Sequence, residues 1–295
     1  DVPDDATVRV VTREGITVSD AARLPAKAFV LLIRAGDNEH RTEFYFYPTD
    51  QIGEKFQVPL LSSQRTIEVE VLANTPKVLL ARNLLTEEEC AAIKKAAEPL
   101  MKPSTVLQQG DQTKGEKQVV DDVRTSSTAW LMDRSLPVVG AVRTRVEELI
   151  KVPMEYAEDM QVLHYAYKQH YHVHHDYFDP ALYPNDKRWS KGHNRMITVF
   201  FNLVTVEEGG QTIFPYAGVD PATHPSIKDY GPCEDVDPKA LRVPAVSGHA
   251  IIFYGMTAQG HPRGELDKAS LHGGCDPIRG DKWAANYWVR NGPVL

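Results

Sequence analysis

Long hydrophobic runs are missing from this sequence. The longest, such as Phe29-Val30-Leu31-Leu32-Ile33, are strand-sized and far short of the roughly 20 residues that a membrane-spanning helix needs. No membrane segment is expected within the chain. An excess of basic residues is missing too: 33 Lys and Arg stand against 40 Asp and Glu, for a formal net charge of −7. That balance gives nucleic acid no electrostatic footprint and favours a neutral or cationic partner. Cysteine is sparse. Cys90, Cys233 and Cys275 include no C-x-x-C pair, which argues against a thiolate zinc site. The odd count leaves one bridge plus a free thiol open, and the compartment with it. Internal repeats and low-complexity tracts are absent. The chain opens at Asp1 rather than a Met, which points to a processed or trimmed chain. What remains is 295 residues of ordinary globular composition, enough for one large domain or two smaller ones.

Residues 1–68 read as a small β-rich N-terminal segment. Thr7-Val8-Arg9-Val10-Val11, residues 29–33 and Thr42-Glu43-Phe44-Tyr45-Phe46-Tyr47 are β-branched or aromatic runs separated by turn residues such as Gly36-Asp37-Asn38. The segment concentrates no polar chemistry, so a structural or substrate-docking role is expected of it. Asn74-Thr75-Pro76 carries a turn or linker signature, and residues 69–295 are taken as the second, larger unit. It begins with a helix whose start is marked by Thr86 and Glu89, the two halves of a capping box, followed by Ile93, Ala96, Ala97 and Leu100 on one face. A second helix starts at Pro137, with Val138, Val139, Val142, Val146, Leu149 and Ile150 at helical spacing. The polar residues 108–118 between them are expected to form a mobile loop. From Met160 onward the pattern turns to short strands, 160–165, 196–203, 241–244, 249–254 and 283–290, broken by Gly209-Gly210, Gly231-Pro232 and Gly273-Gly274. Many short strands behind two helices predict a mainly β sandwich or barrel with helices packed on one face.

The densest polar cluster is His170-Tyr171-His172-Val173-His174-His175-Asp176. Residues two apart on a strand project to the same side, so His174 and Asp176 can bind one ion together. A carboxylate and an imidazole, completed by a second imidazole, form the facial triad of non-haem iron(II) oxygenases, which leaves room for a bidentate co-substrate and O2. Ser270-Leu271-His272-Gly273-Gly274 offers the distal histidine, and Gly280-Asp281-Lys282-Trp283 comes next, on an expected core strand. A lysine inside a β barrel is costly unless an anion neutralises it. A dicarboxylate would do so, one end chelating the metal and the other meeting Lys282.

At these residues the sequence resembles the prolyl 4-hydroxylases of the 2-oxoglutarate oxygenase superfamily, particularly the plant and algal type. The resemblance starts near Glu70-Val71-Leu72 and covers about three quarters of the chain. It runs through Asn83-Leu84-Leu85-Thr86, Val123-Arg124-Thr125-Ser126-Ser127, Gln161-Val162-Leu163-His164-Tyr165, the His-x-Asp cluster, Arg195-Met196-Ile197-Thr198, Glu207-Glu208-Gly209-Gly210 and residues 270–288. It implies a double-stranded β-helix (jelly-roll) core. It also implies iron(II) held by His174, Asp176 and His272. The 2-oxoglutarate distal carboxylate falls to Lys282, with Tyr165 and Thr212 at the same end. Arg195 and Trp288 match positions lining a peptide groove, residues 108–118 a segment that closes over substrate, and Cys233 and Cys275 a bridged pair that leaves Cys90 free. Two departures stand near the site: Lys168 replaces a usual Gly, and Gln211 a usual Glu. Residues 179–194 also look longer than in similar enzymes.

The expected activity is hydroxylation of peptidyl proline to 4-hydroxyproline, with O2 consumed and 2-oxoglutarate converted to succinate and CO2. Ascorbate is expected to rescue oxidised iron, a proline-containing polypeptide is the expected partner, and the secretory pathway is preferred over the cytoplasm. The rivals are the same chemistry on another peptidyl residue or a small molecule, a metal-dependent hydrolase, and a non-catalytic module that binds proline-rich peptide. Lys282 argues against hydrolysis, which needs no buried dicarboxylate anchor.

Overall fold

The computed structural model describes residues 7–12, 17–18, 30–35, 47, 51–108, 117–119, 122–132, 136–180, 193–219, 221, 233, 236–257 and 265–292. Near the N-terminus, β1 (Thr7–Thr12), β2 (Thr17–Val18) and β3 (Val30–Ala35) form an antiparallel sheet in the order β2-β1-β3. The run expected as a strand over residues 42–47 lies outside the described residues, except for Tyr47, which is in no strand.

The hairpin β4 (Lys55–Leu60) and β5 (Arg65–Asn74) leads to β6 (Lys77–Ala81) and then to α1 (Glu87–Ala97). β5 alternates as its sequence does: Ile67, Val69, Val71 and Ala73 are buried and the residues between them are partly open. A break between residues 68 and 69 falls inside this strand. β5 pairs with β4 on one side and β6 on the other, so residues 55–68 share one sheet with β6 and the strands beyond it. The pairing partner of β6 is β17, far along the chain, and no local pattern could have announced it.

α1 starts as its capping box predicts. Thr86 Oγ1 accepts from Glu89 N–H (3.2 Å), and the Glu89 carboxylate accepts from Thr86 N–H (2.9 Å). Cys90, Ile93 and Ala97 are its buried face. Then come β7 (Lys102–Pro103), the paired β8 (Val106–Gln108) and β9 (Lys117–Val119), β10 (Ser127–Leu131) and α2 (Pro137–Ile150). Of the loop expected over 108–118, residues 109–116 lie outside the described residues, and its two ends pair as a ribbon. α2 has Pro137 in its first turn, where the missing N–H costs nothing. Its Val139, Val142, Val146, Leu149 and Ile150 join one core with the buried residues of α1 and the large sheet. Burial of each such side chain stabilises by about 1.5–3 kcal/mol.

The heart of the fold begins with β11 (Met160–Tyr165), β12 (Tyr171–His174), β13 (Arg195–Asn202), then, after the two-residue β14 (Glu208–Gly209), β15 (Thr212–Phe214), β16 (Leu241–Val243) and β17 (Ala250–Tyr254). The short β18 (Met256–Thr257) and β19 (Glu265–Leu266) pair with each other. β20 (His272–Gly274), β21 (Pro277–Arg279) and β22 (Lys282–Arg290) complete the chain. The large sheet runs β4-β5-β6-β17-β13-β22-β11-β10-β7, and the small one β12-β20-β15-β16. The chain passes repeatedly from one sheet to the other, which is the winding of a jelly roll. The β14–β21 contact depends on Gly209, with φ +77°, where a Cβ would stand 2.3 Å from the Asp276 carbonyl.

The strands around the site sort their side chains by parity. On β22, Trp283, Ala285, Tyr287 and Val289 face the helices, while Lys282, Ala284, Asn286 and Trp288 face the small sheet. Tyr165 stands opposite Lys282, Leu163 opposite Ala284 and Gln161 opposite Asn286. The interior of the roll is therefore one wall of inward-facing residues from the large sheet, closed by the small one.

Candidate active site

His174 ends β12 and His272 opens β20, and the two are register partners. The His-x-Asp spacing predicted Asp176 on the same strand as His174, but the strand stops at His174 and the carboxylate arrives from the bend just after it. It still converges. One ligand atom from each of the three residues lies within 4.8 Å of the others. His174 Nε2 is 3.6 Å from Asp176 Oδ1, and His272 Nε2 is 3.5 Å from Asp176 Oδ2.

Both imidazoles are oriented from behind. His174 Nδ1 is 2.8 Å from the His172 carbonyl and His272 Nδ1 is 3.0 Å from the Ser270 carbonyl. A carbonyl can only accept, so each Nδ1 carries the proton and each Nε2 lone pair is left facing the centre. Thr198 Oγ1 donates to Asp176 Oδ2 at 2.7 Å and fixes the carboxylate plane. Burial would raise the Asp176 carboxyl, but His272, His174 and Arg195 outweigh it and hold the group well below the usual range. Burial pushes His272 down to about 4. Two imidazoles and a carboxylate on one side of a centre form the donor set of the two-histidine, one-carboxylate metal sites. They fit iron(II).

Lys282 lies deeper, at the start of β22, with no exposed surface. Its Nζ has no hydrogen-bond partner among the described residues, and burial pushes its pKa down to about 7. The amine sits 5.5 Å from the Tyr165 ring centre and 5.3 Å from that of Phe200. Burial raises the Tyr165 phenol, so it is a neutral donor here. On the facing strand Gly274 leaves this end bare: a Cβ there would lie 3.6 Å from Tyr165 Oη and 3.9 Å from Lys282 Nζ. A buried amine without a partner, beside a phenol donor and a missing side chain, fits the carboxylate of a small dianion.

One pocket is lined by Tyr165, Thr212, His174, Asp176, His272 and Trp288, with Lys282 beside its Tyr165 and Gly274 end. Arg195 is near it but engaged elsewhere. Its Nε and Nη2 donate to Glu158 at 2.9 and 2.8 Å, and its guanidinium lies 3.4 Å from the Trp288 ring centre. Burial alone would raise the Glu158 carboxyl, but Arg195 and Arg290 hold it below its usual value. Arg195 thus stacks under Trp288 and sets the angle of that indole. Cys233 and Cys275 are bridged, with Cα atoms 5.6 Å apart, and Cys90 is a buried free thiol. Lys168 adopts φ +60°, which explains why glycine suits that turn.

Sequence reasoning missed the residues that buttress His174. The Tyr171 ring stacks on it with centroids 3.5 Å apart, and the Arg124 guanidinium lies over the Tyr171 ring at 4.6 Å. Arg124 and Tyr171 meet through an isolated bridge between distant parts of the chain. The only sequence signal was that Arg124 sits beside Thr125-Ser126-Ser127 and Tyr171 within the histidine cluster, two motifs with no visible link between them.

The model of the 2OG-Fe(II) oxygenase superfamily matches residues 160–290. Prolyl 4-hydroxylase 1 of Arabidopsis thaliana is 35% identical over 226 residues, 76% of this chain and 72% of that protein. Probable prolyl 4-hydroxylase 10 of the same plant is 34% identical over 222 residues, 75% of this chain and 71% of that one. Among solved structures, the viral collagen prolyl hydroxylase of Paramecium Bursaria Chlorella virus-1 is 22% identical, with a TM-score of 0.49, covering 72% of this chain and 95% of that one.

Proposed function

Since the chain belongs to the prolyl 4-hydroxylase family of the 2OG-Fe(II) oxygenase superfamily, we propose that it hydroxylates proline within a polypeptide at the 4-position. The observation that carries the reading is a His174-Asp176-His272 cluster lining a pocket whose Tyr165 and Gly274 end has the buried, unpartnered amine of Lys282 beside it. When bound, iron(II) and 2-oxoglutarate supply the oxidising chemistry: with O2, 2-oxoglutarate becomes succinate and CO2 and one oxygen atom enters a substrate C–H bond.

The protein's own part is to position and exclude. His174, Asp176 and His272 would hold the iron, and the carbonyls of His172 and Ser270 keep the imidazole Nε2 atoms turned inward. Lys282 would neutralise the distal carboxylate of 2-oxoglutarate, with Tyr165 donating beside it and Thr212 across from Gly274. Leu163, Ala284 and Phe200 pack between the sheets and keep water from that end. Trp288, held by Arg195 on Glu158, offers an aromatic face to a proline ring. Ascorbate would keep the iron reduced. The Cys233–Cys275 bridge supports residence in an oxidising compartment, in line with the secretory pathway.

The test is succinate release from 2-oxoglutarate with iron(II), ascorbate and a poly-proline peptide, for the wild type and His174→Ala. Peptide-stimulated turnover and a product heavier by one oxygen on proline are expected from the wild type. Loss of an outer-shell partner of a ligand typically costs 10–100-fold, so loss of the ligand itself should leave below about one hundredth. Turnover that ignores the peptide would turn the search to another substrate.

A further inference from the structure

Four buried donors at or beside the pocket lack an acceptor among the described residues: Lys282 Nζ, Asn286 Nδ2, Trp288 Nε1 and Arg124 Nε. Three of them occupy one row of β22. Lys282 is matched by the dianion, yet the row continues for six residues, roughly 20 Å. A five-carbon chain spans only about 6 Å, so one small molecule cannot serve the whole row. The outer members are left free for a second ligand.

The outer group is chemically uniform. Asn286 is 2% exposed and stands opposite Gln161, whose Oε1 already accepts from Arg124 Nη2 at 3.4 Å. Phe200 is its neighbour on the other side, and Trp288 lies two residues on. Arg124, Asn286 and Trp288 line the same pocket, and each has a donor to spare. An ordinary peptide brings one N–H for every C=O. A prolyl residue brings a C=O and no N–H. A wall of donors therefore matches a backbone that is itself short of donors.

We propose that Asn286 is a specificity-determining residue, whose Nδ2 amide, in a wall shared with Arg124 and Trp288, donates to a backbone carbonyl of the polypeptide beside the reacting proline. This rests on the function proposed above. A carbonyl oxygen has two lone pairs, so one acceptor can satisfy Asn286 and a second donor together. The wall rewards proline-rich neighbours and leaves flanking amide N–H groups without acceptors, so it selects sequence context as well as the reacting ring.

Three variants test it in the enzyme loaded with iron(II) and 2-oxoglutarate: Asn286→Leu, Asn286→Asp and Asn286→Thr. Affinity for a poly-proline peptide is measured by calorimetry without O2, turnover with O2, and the melting temperature without peptide. Asn286→Leu should weaken peptide Kd and KM by about tenfold with the 2-oxoglutarate KM within about twofold. It should also melt no lower than wild type, because an unsatisfied buried amide costs stability that Leu does not. Asn286→Asp, which replaces the donor by an acceptor, should lose more affinity, and Asn286→Thr, which keeps a hydroxyl donor, less. Unchanged peptide affinity in Asn286→Leu would overturn the proposal. So would a fall in melting temperature with all constants degraded together, or a shift confined to the 2-oxoglutarate KM, which would give the amide to the co-substrate. A wild type that makes succinate but binds no peptide would fail the proline reading instead, while the melting temperatures still report whether the amide was unsatisfied.

Discussion

The two faces of β22 have the same backbone, the same depth and opposite chemistry. Toward the helices, Trp283, Ala285, Tyr287 and Val289 are packed into the main core. Toward the small sheet, Lys282, Asn286 and Trp288 are just as buried, yet each holds a donor that nothing in the described protein accepts. The outer face minimises free energy within the chain. The inner face is costly until something else is bound. Depth alone does not separate core from site on this strand; unsatisfied burial does.

The sharpest way to break that contrast is Lys282→Met, which makes the inner face resemble the outer one. Affinity for 2-oxoglutarate should fall by on the order of a hundredfold or more, because a buried charge-assisted contact disappears. Stability should rise at the same time. A lysine pKa lowered from 10.5 to about 7 means that below pH 7 the fold bears the whole cost of charging this amine, on the order of 5 kcal/mol. The unfolded chain binds the extra proton between about pH 7 and 10.5, so wild-type stability without ligand should climb across that window. The variant should be flat there. Binding of 2-oxoglutarate needs the ammonium form, so wild-type affinity should weaken as pH rises above about 7. Thermal melts and calorimetry between pH 6 and 10 check both signs, and a variant that melts lower than wild type at pH 6 would contradict the account.

The complementary change is Tyr287→Ala on the outer face. Tyr287 is fully buried, stands edge-on to Phe201 at 6.1 Å and reaches the Val139 carbonyl of α2. Its truncation should cost about 3–5 kcal/mol of stability and leave the KM values of the surviving folded enzyme within about twofold. Denaturant unfolding together with turnover would show it. If KM moved as much as stability did, the two faces would not be separable.

The two faces also differed in how readily the sequence announced them. His174, His272 and Lys282 could be named because each motif is local and its chemistry is unusual for a strand. The capping box of α1 and the Pro137 start of α2 could be read for the same reason. Three things could not. The β4–β5 hairpin joins the large sheet through β6 and its pairing with β17, a contact between distant segments. The stack of Arg124, Tyr171 and His174 forms only when residues 124 and 171 are brought side by side. Asn286 looks like any polar residue in mid-strand until the fold shows it buried with an unpartnered amide beside Arg124 and Trp288. For Arg195 the motif suggested a groove residue, and the fold adds its tie to Glu158 beneath Trp288, which the motif did not announce.

The smallest effect is expected between the faces, at the turn that carries the chain from β11 to β12. Lys168 has φ +60° there, its N–H donates to the Pro277 carbonyl at 3.1 Å, and its ammonium lies over the Tyr167 ring. A left-handed conformation costs a residue with a Cβ roughly 1–2 kcal/mol, while glycine's extra freedom in the unfolded chain returns about 0.5–1 kcal/mol of that. Lys168→Gly should therefore stabilise by about 0.5 kcal/mol, and Lys168→Val, branched at Cβ, should destabilise. Neither should alter the peptide KM, because Lys168 is outside the pocket that holds Trp288 and Asn286. A peptide KM changed by Lys168→Gly at constant stability would extend the substrate surface to this turn, and would make the exposed Tyr167 beside it the next residue to substitute.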